Sequence, residues 1–116
     1  DNSVLLRLTS SPSVYSPVLK FLVKLGANIH SENDYAFRLA SEKGYLEIVK
    51  YLVERGADIH AWDDEALGMA STNGHFEVVK YLVEQGADIH ADNNYALTWA
   101  TINRHTEIVN YLKSLP

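Results

Sequence analysis

Apolar residues in this chain fall in short segments whose spacing fits amphipathic helices. When residues 46–55 are placed about 100° apart around a helix axis, the apolar positions form one arc of about 200°. That arc is wider than the stripe of about 100° on an ordinary surface helix, so the pattern predicts a helix with partners on two sides. The arc contains Ile48, Val49, Tyr51, Leu52 and Val53, and Glu47, Lys50 and Glu54 remain for water.

Polar and glycine positions predict that this helix is the second of a pair. A first helix is predicted over residues 35–43, after Asn33 and Asp34, either of which can cap a helix start, and it ends near Gly44. The second helix ends at Gly56, which suits the left-handed position past a helix C-terminus. Small residues on the first helix predict a close approach of neighbouring backbones. They are Ala36, Ala40 and Ser41.

The helix pair recurs at a spacing of thirty residues. Leu-Gly-Ala-Asn-Ile-His at 25–30 returns as Arg-Gly-Ala-Asp-Ile-His at 55–60 and as Gln-Gly-Ala-Asp-Ile-His at 85–90. Small residues recur with it, at Ala66, Ala70 and Ser71. The chain is therefore predicted to be one all-α solenoid domain over 1–116, with about four repeats at 1–31, 32–61, 62–91 and 92–116.

Residues 74–89, which read Gly-His-Phe-Glu-Val-Val-Lys-Tyr-Leu-Val-Glu-Gln-Gly-Ala-Asp-Ile, resemble the second half of an ankyrin repeat. The resemblance covers nearly the whole chain and implies an ankyrin-type stack of antiparallel helix pairs. Two features depart from the family: the repeat is three residues shorter than usual, and the usual Thr-Pro-Leu-His helix start is replaced, for example by Tyr-Ala-Phe-Arg at 35–38. We therefore expect shortened fingers. This short form resembles the ankyrin paralogues of giant DNA viruses.

The two ends of the stack differ in polarity. Lys113 stands where earlier copies have valine, and Asn110 stands where the third repeat has lysine. These changes predict a polar C-terminal cap. Phe21, on the flank that would meet a preceding repeat, stays apolar. We therefore expect further repeats upstream, with this chain as the C-terminal end of a longer array.

Composition and charge restrict the expected cellular compartment and the expected class of partner. A 47% hydrophobic and 22% charged chain is ordinary for a soluble protein, and the lack of cysteine favours a reducing compartment. No apolar run approaches the roughly 18 residues of a membrane span. A net charge of -5 repels phosphate backbones, which argues against nucleic acid and favours a neutral or basic protein. We expect a monomer in the cytoplasm, which is the host cytoplasm if the protein is viral.

Residues that could suggest catalysis or metal binding have simpler explanations. His30, His60 and His90 recur once per repeat, about 10 Å apart, whereas zinc ligands lie about 2 Å from the metal. We predict that they brace loops through hydrogen bonds. The His-Phe-Glu sequence at 75–77 resembles part of a zinc deaminase motif that also needs cysteines. Motifs of zincins, serine hydrolases and P-loop proteins are missing. We predict no enzyme activity, no cofactor and no metal.

Positions that differ between otherwise matching repeats mark the expected binding surface. Glu47 and Lys50 on the second helix recur, whereas two first-helix positions change in every copy. We call these positions the variable row: Arg38 and Glu42, Gly68 and Thr72, Thr98 and Ile102. The ankyrin resemblance implies that this row and the inter-repeat turns contact a partner. The predicted partner-binding residues are Asn33, Asp34, Tyr35, Arg38, Glu42, Trp62, Asp63, Asp64, Glu65, Thr72, Asp92, Asn93, Asn94, Tyr95 and Ile102.

Aromatic residues in the inter-repeat turns are the expected anchors. Tyr35, Trp62 and Tyr95 fall there, and the acidic residues 63–65 favour a basic rim on the partner. For Trp62, partner binding and internal packing stay equally open. Trp99, whose counterparts are leucine and methionine, is expected in the core.

Two functions fit these patterns. The first is a protein–protein interaction module, with a host protein as partner if the viral resemblance holds. The alternative is a structural spacer or scaffold without a specific partner.

Overall fold

The structure, a computed structural model, describes residues 17, 19–21 and 23–116. The described residues between 17 and 24 are helical, and none of the described residues forms a strand. The predicted first repeat therefore lies largely outside the described residues. No helix in the described ranges is long and apolar enough to cross a membrane. The helices that follow are α1 (Ser31–Lys43), α2 (Leu46–Glu54), α3 (Ala61–Thr72), α4 (Phe76–Glu84), α5 (Ala91–Ile102) and α6 (Thr106–Lys113).

These six helices form three stacked pairs. The first helices α1, α3 and α5 pack side by side, and each also packs on the second helix of its own pair, which is α2, α4 or α6. The second helices contact one another less extensively, α2 with α4 and α4 with α6. The molecule is accordingly elongated, at 42 × 23 × 19 Å. The predicted all-α solenoid of helix pairs is confirmed.

The apolar arc of the second helices forms most of the core. Burying one such aliphatic side chain contributes about 1.5–3 kcal/mol. Because a single pair could not cover an arc this wide, the burial depends on the neighbouring repeats. The side chains with at most 1% exposure on α2 and α4 are Ile48, Val49, Leu52, Val78, Val79 and Leu82.

Small side chains bring the first helices close together. Ala40, Ala70 and Ala100 are fully buried, as are Ser41 and Ser71 at the next position. This confirms the close approach predicted from the small residues. Thr101, the counterpart of Ser71, is exposed because no described helix lies against that flank of α5. The same repeat position is therefore interior in α3 and surface in α5.

Each first helix opens with three residues in the left-handed region. The φ angles are 56°, 56° and 59° at Glu32, Asn33 and Asp34, and the same values return within a few degrees at 62–64 and 92–94. The Asp34 N–H donates to the His30 carbonyl at 3.2 Å, so these residues make one left-handed turn. The shortened finger expected from the resemblance takes this form.

The helix caps predicted at Asn33 and Asp34 are wrong. Both residues lie inside the left-handed turn, and the residue before α1 makes no side-chain cap bond. The Asp34 carboxylate contacts the imidazole of His30 instead. Aspartate and asparagine tolerate left-handed backbone as well as they cap helices, so a polar pair before a helix fits both roles.

The two ends of the stack are partly apolar. Asn110 and Lys113 are exposed, in line with the predicted polar cap, but Trp99 and Ile102 on α5 are 39% and 57% exposed. The prediction that Trp99 packs in the core is wrong. Its counterpart Leu39 is covered by α3, the first helix of the next repeat, whereas no described helix follows α5 to cover Trp99. Phe21 is also exposed. Upstream repeats stay a prediction.

A larger side chain at Ser71 tests whether this flank of α3 is interior while the same flank of α5 is surface. Ser71→Leu should destabilise the protein by about 1–3 kcal/mol, because the added atoms must fit between α3 and α5. Thr101→Leu makes the same type of change at the matched exposed position and should change stability by about 0.5 kcal/mol or less. Urea unfolding measures both values. Equal losses would contradict the close packing described here.

Candidate partner-binding surface

A histidine braces each inter-repeat turn. His30 Nδ1 lies 2.6 Å from Asp34 Oδ1, and the His30 N–H donates to Asn28 Oδ1 at 2.9 Å. The same pair of contacts recurs at His60 and at His90, with an asparagine as the side-chain acceptor in the last turn. The predicted loop-bracing role is confirmed. The described residues contain no group of three histidine or acidic side chains arranged to hold a metal ion.

Asp64 extends this brace into the next repeat. Its carboxylate is buried, contacts His60 Nδ1 at 3.0 Å, and accepts a hydrogen bond from the Asp88 N–H at 2.8 Å. The hydrogen bond to Asp64 and its negative charge raise the pKa of His60 above the usual 6.5. Smaller attractions come from Asp58 and Asp88, while burial opposes the shift. Asp64 therefore positions two adjacent turns.

Arg38 is enclosed by the turns on either side of it. Its Nε and Nη2 donate to the carbonyl oxygens of Asn33 and Glu32, at 3.0 and 2.9 Å. Its Nη1 donates to Glu65 Oε1 at 2.9 Å, which links two repeats. The guanidinium carbon also lies 4.2 Å from the centroid of the Trp62 ring. Arg38 is only 5% exposed, so it connects repeats and presents little surface.

An open groove occupies the equivalent place one repeat later. The counterpart of Arg38 is Gly68, and the Tyr95 ring lies close enough that a Cβ on Gly68 would come within 2.8 Å of Tyr95 Cδ1. A cleft of about 140 Å³ remains between the turns of the third and fourth repeats. Trp62, Asp63, Glu65, Gly68, Asp92 and Tyr95 are among its lining residues.

The opposite ends of α1 and α3 are joined to the next repeat by a different set of polar contacts. Asn73 Nδ2 donates to the Glu42 carbonyl at 3.0 Å, and Asn103 Nδ2 donates to the Thr72 carbonyl at 2.9 Å. The His105 imidazole also contacts the Thr72 carbonyl, at 3.0 Å. Sequence reasoning missed these residues, although Asn-x-His recurs at 73–75 and 103–105.

The structure divides the predicted partner-binding residues by exposure. Asp34, Arg38 and Asp64 are buried and hold the turns in place, so they offer little surface to a partner. Trp62 both packs on Arg38 and keeps 59% of its surface exposed. Partly exposed are Tyr35, Glu42, Glu65, Thr72 and Tyr95, and exposed are Asn33, Trp62, Asp63, Asp92, Asn93, Asn94 and Ile102.

Comparison with known proteins adds one match. A family model described as ankyrin repeats, in three copies, matches residues 39–115, which is well over half of the chain. No curated protein matches the chain.

The pairing of His60 with Asp64 predicts a pH-dependent stability. Because the folded pKa of His60 is raised, the stability from this pair is fully present below pH 6.5 and is lost as the pH rises through the folded pKa. Asp64→Asn should return the pKa of His60 towards 6.5 and reduce the fall in unfolding free energy above it. NMR titration of His60 and urea unfolding on both sides of pH 6.5 test this. Identical pKa values for His60 in the two proteins would contradict the role of Asp64.

Replacing Arg38 with lysine, which keeps the charge, should lower the stability of the protein. A lysine ammonium cannot serve two carbonyls and a carboxylate in the planar fork that Arg38 uses, nor stack flat on Trp62. Arg38→Lys should therefore cost about 1–3 kcal/mol of stability. The exposed Arg104 provides a matched control, and Arg104→Lys should be nearly neutral. Urea unfolding measures the free energy of unfolding of both variants. Similar losses of stability in the two would show that the Arg38 contacts add no stability.

Proposed function

Because the chain belongs to the ankyrin repeat family, whose members are in general protein–protein interaction modules, we propose that it binds a partner protein through its inter-repeat turns and variable row. The structure itself contains no partner, so the support comes from the family and from the surface described above. Catalysis is not part of the proposal, since the family is typically non-catalytic.

The exposed ring of Trp62 is the observation that carries this proposal. A tryptophan is the residue type most often found as an energetic hot spot of a protein interface. Trp62 lies in a turn whose backbone is fixed by His60 and Asp64, and its ring rests on Arg38. A partner would therefore meet an aromatic surface that is already held in place, which lowers the ordering cost of binding.

The charge around Trp62 supports a neutral or basic partner. Asp63 and Asp92 are exposed on either side of the cleft, and Glu65 is partly exposed between them. Charges at the edge of an interface mainly set the choice of partner and the rate of association. The net charge of -5 acts in the same direction and disfavours nucleic acid.

The proposed setting rests on sequence features alone. The lack of cysteine supports a reducing, cytoplasmic environment. We also propose that the chain acts as a monomer. If the resemblance to viral ankyrin paralogues reflects the origin of the chain, the partner is a protein of the host.

Removing the Trp62 ring should weaken partner binding. Trp62→Ala should reduce affinity for the captured partner about tenfold or more, because hot-spot truncations cost about 2 kcal/mol or more. The matched control is Glu84→Ala on the exposed side of α4, which should bind as the wild type does. Quantitative affinity capture from a cytosolic lysate, followed by titration with the purified partner, gives the values.

The Trp62→Ala protein must first be shown to retain its helix content by circular dichroism. If the folded variant and the wild type capture the same proteins with equal affinity, Trp62 is not an anchor. If neither protein captures anything specifically, the chain is a structural spacer instead.

A further inference from the structure

Two successive grooves in this protein have the same backbone but different contents. Each lies between neighbouring inter-repeat turns and is bounded below by a first helix. In the groove between the second and third repeats, the side chain of Arg38 fills the space. In the groove between the third and fourth repeats, the residue at that position is Gly68 and a cleft of about 140 Å³ remains.

The filled groove shows which chemistry this backbone binds. Two turn carbonyls, from Glu32 and Asn33, accept hydrogen bonds from the guanidinium of Arg38. One carboxylate, from Glu65, forms an ion pair with it at 2.9 Å. The rings of Trp62 and Tyr35 lie 4.2 and 5.4 Å from its central carbon. The groove therefore supplies acceptors in the plane of a guanidinium and aromatic rings beside it.

The open groove repeats the backbone part of this site. The φ and ψ angles of Trp62 are 55° and 52°, against 56° and 49° for Glu32, and those of Asp63 likewise match those of Asn33. Backbones with the same angles direct their carbonyl groups in the same way relative to the helix that follows. The carbonyls of Trp62 and Asp63 therefore stand in the positions of the two carbonyls that bind Arg38.

The side chains at the equivalent positions of the open groove are one aromatic ring and two carboxylates, where the filled groove has two rings and one carboxylate. Tyr95 stands at the position of Glu65, Glu65 at that of Tyr35, and Asp92 at that of Trp62. An aromatic ring and carboxylates thus again surround the space. Asp64 and Asp88 add to the lining, which contains five acidic residues and no basic one. Asp64 already contacts His60 and Glu65 already pairs with Arg38, so the exposed carboxylates of Asp63 and Asp92 are the ones that an incoming cation would meet.

We propose that the groove at Gly68 binds the guanidinium group of an arginine side chain carried by a partner protein. This inference rests on the proposed function as a protein-binding module and names what the partner must present. Arginine fits better than lysine, because its planar fork can meet carbonyls and a carboxylate together and can lie against the ring of Tyr95. The partner's arginine enters the remaining cleft beside the Tyr95 ring, because that ring fills the space directly over Gly68.

A capped arginine, N-acetyl-arginine N-methylamide, tests the groove without any knowledge of the partner. Titrated into the isotope-labelled whole chain, it should shift the amide signals of Gly68 and Tyr95 saturably, with a Kd on the order of 1 mM for a single side chain. The capped citrulline has the same shape without the charge and should bind about tenfold more weakly or not at all. The capped lysine should also bind more weakly than arginine.

Asp92→Asn supplies the matched variant, because Asp92 is exposed and its loss leaves the fold contacts described above intact. It should weaken arginine binding about twofold to fivefold. Asp58→Asn changes another exposed aspartate outside the groove and should leave the Kd unchanged. Equal binding of arginine and citrulline, equal binding of arginine and lysine, or saturable shifts elsewhere would each overturn the assignment.

The two proposals can fail separately. If capped arginine does not bind but partner capture depends on Trp62, the inference about Gly68 is wrong and the protein-binding function stands. If arginine binds at Gly68 but no partner is captured, the groove recognises guanidinium and the proposed function lacks support.

Discussion

The three left-handed residues in the first turn of α1, α3 and α5 are the constraint on which the rest of the surface depends. Each such residue costs about 1–2 kcal/mol relative to right-handed backbone, so one turn costs several kcal/mol. The costs are offset by bonds that reach across repeats, such as the one from the Asp88 N–H to buried Asp64. Each turn also directs two carbonyl groups towards the space between turns, where those of Glu32 and Asn33 accept hydrogen bonds from Arg38.

Neighbouring repeats are matched to one another at the variable row. Arg38 pairs with Glu65 of the next repeat, and Gly68 leaves room for Tyr95 of the repeat after that. Had Gly68 been any larger residue, its Cβ would have met the Tyr95 ring. Variation between repeats therefore has two causes in this chain. Some changes alter the exposed surface, and others fit one repeat to the next, which is why a varying position such as Arg38 can be buried.

The sequence was sufficient for features that repeat and insufficient for those that depend on a neighbour. Spacing alone predicted the helix pairs and the burial of Val49 and Leu52, because a wide apolar arc leaves few alternatives. Trp99 was misplaced because its counterparts are covered by a following helix and it is not. Arg38 was taken for surface because an arginine at a varying position looks exposed until its partners, two turn carbonyls, are known. Those carbonyls depend on left-handed backbone that asparagine and aspartate allow but do not require.

Trp62 connects the filled groove to the open one. Its ring stacks on Arg38 in the first groove, and the same residue lines the cleft at Gly68. Because its ring already packs on Arg38, the Trp62 side chain is held in place next to this cleft, which lowers the cost of ordering it on binding. Arg38 fills the preceding groove of the described stack, so under the proposal a partner's arginine is directed to the groove at Gly68. The internal arginine would then set the position of the partner along the stack.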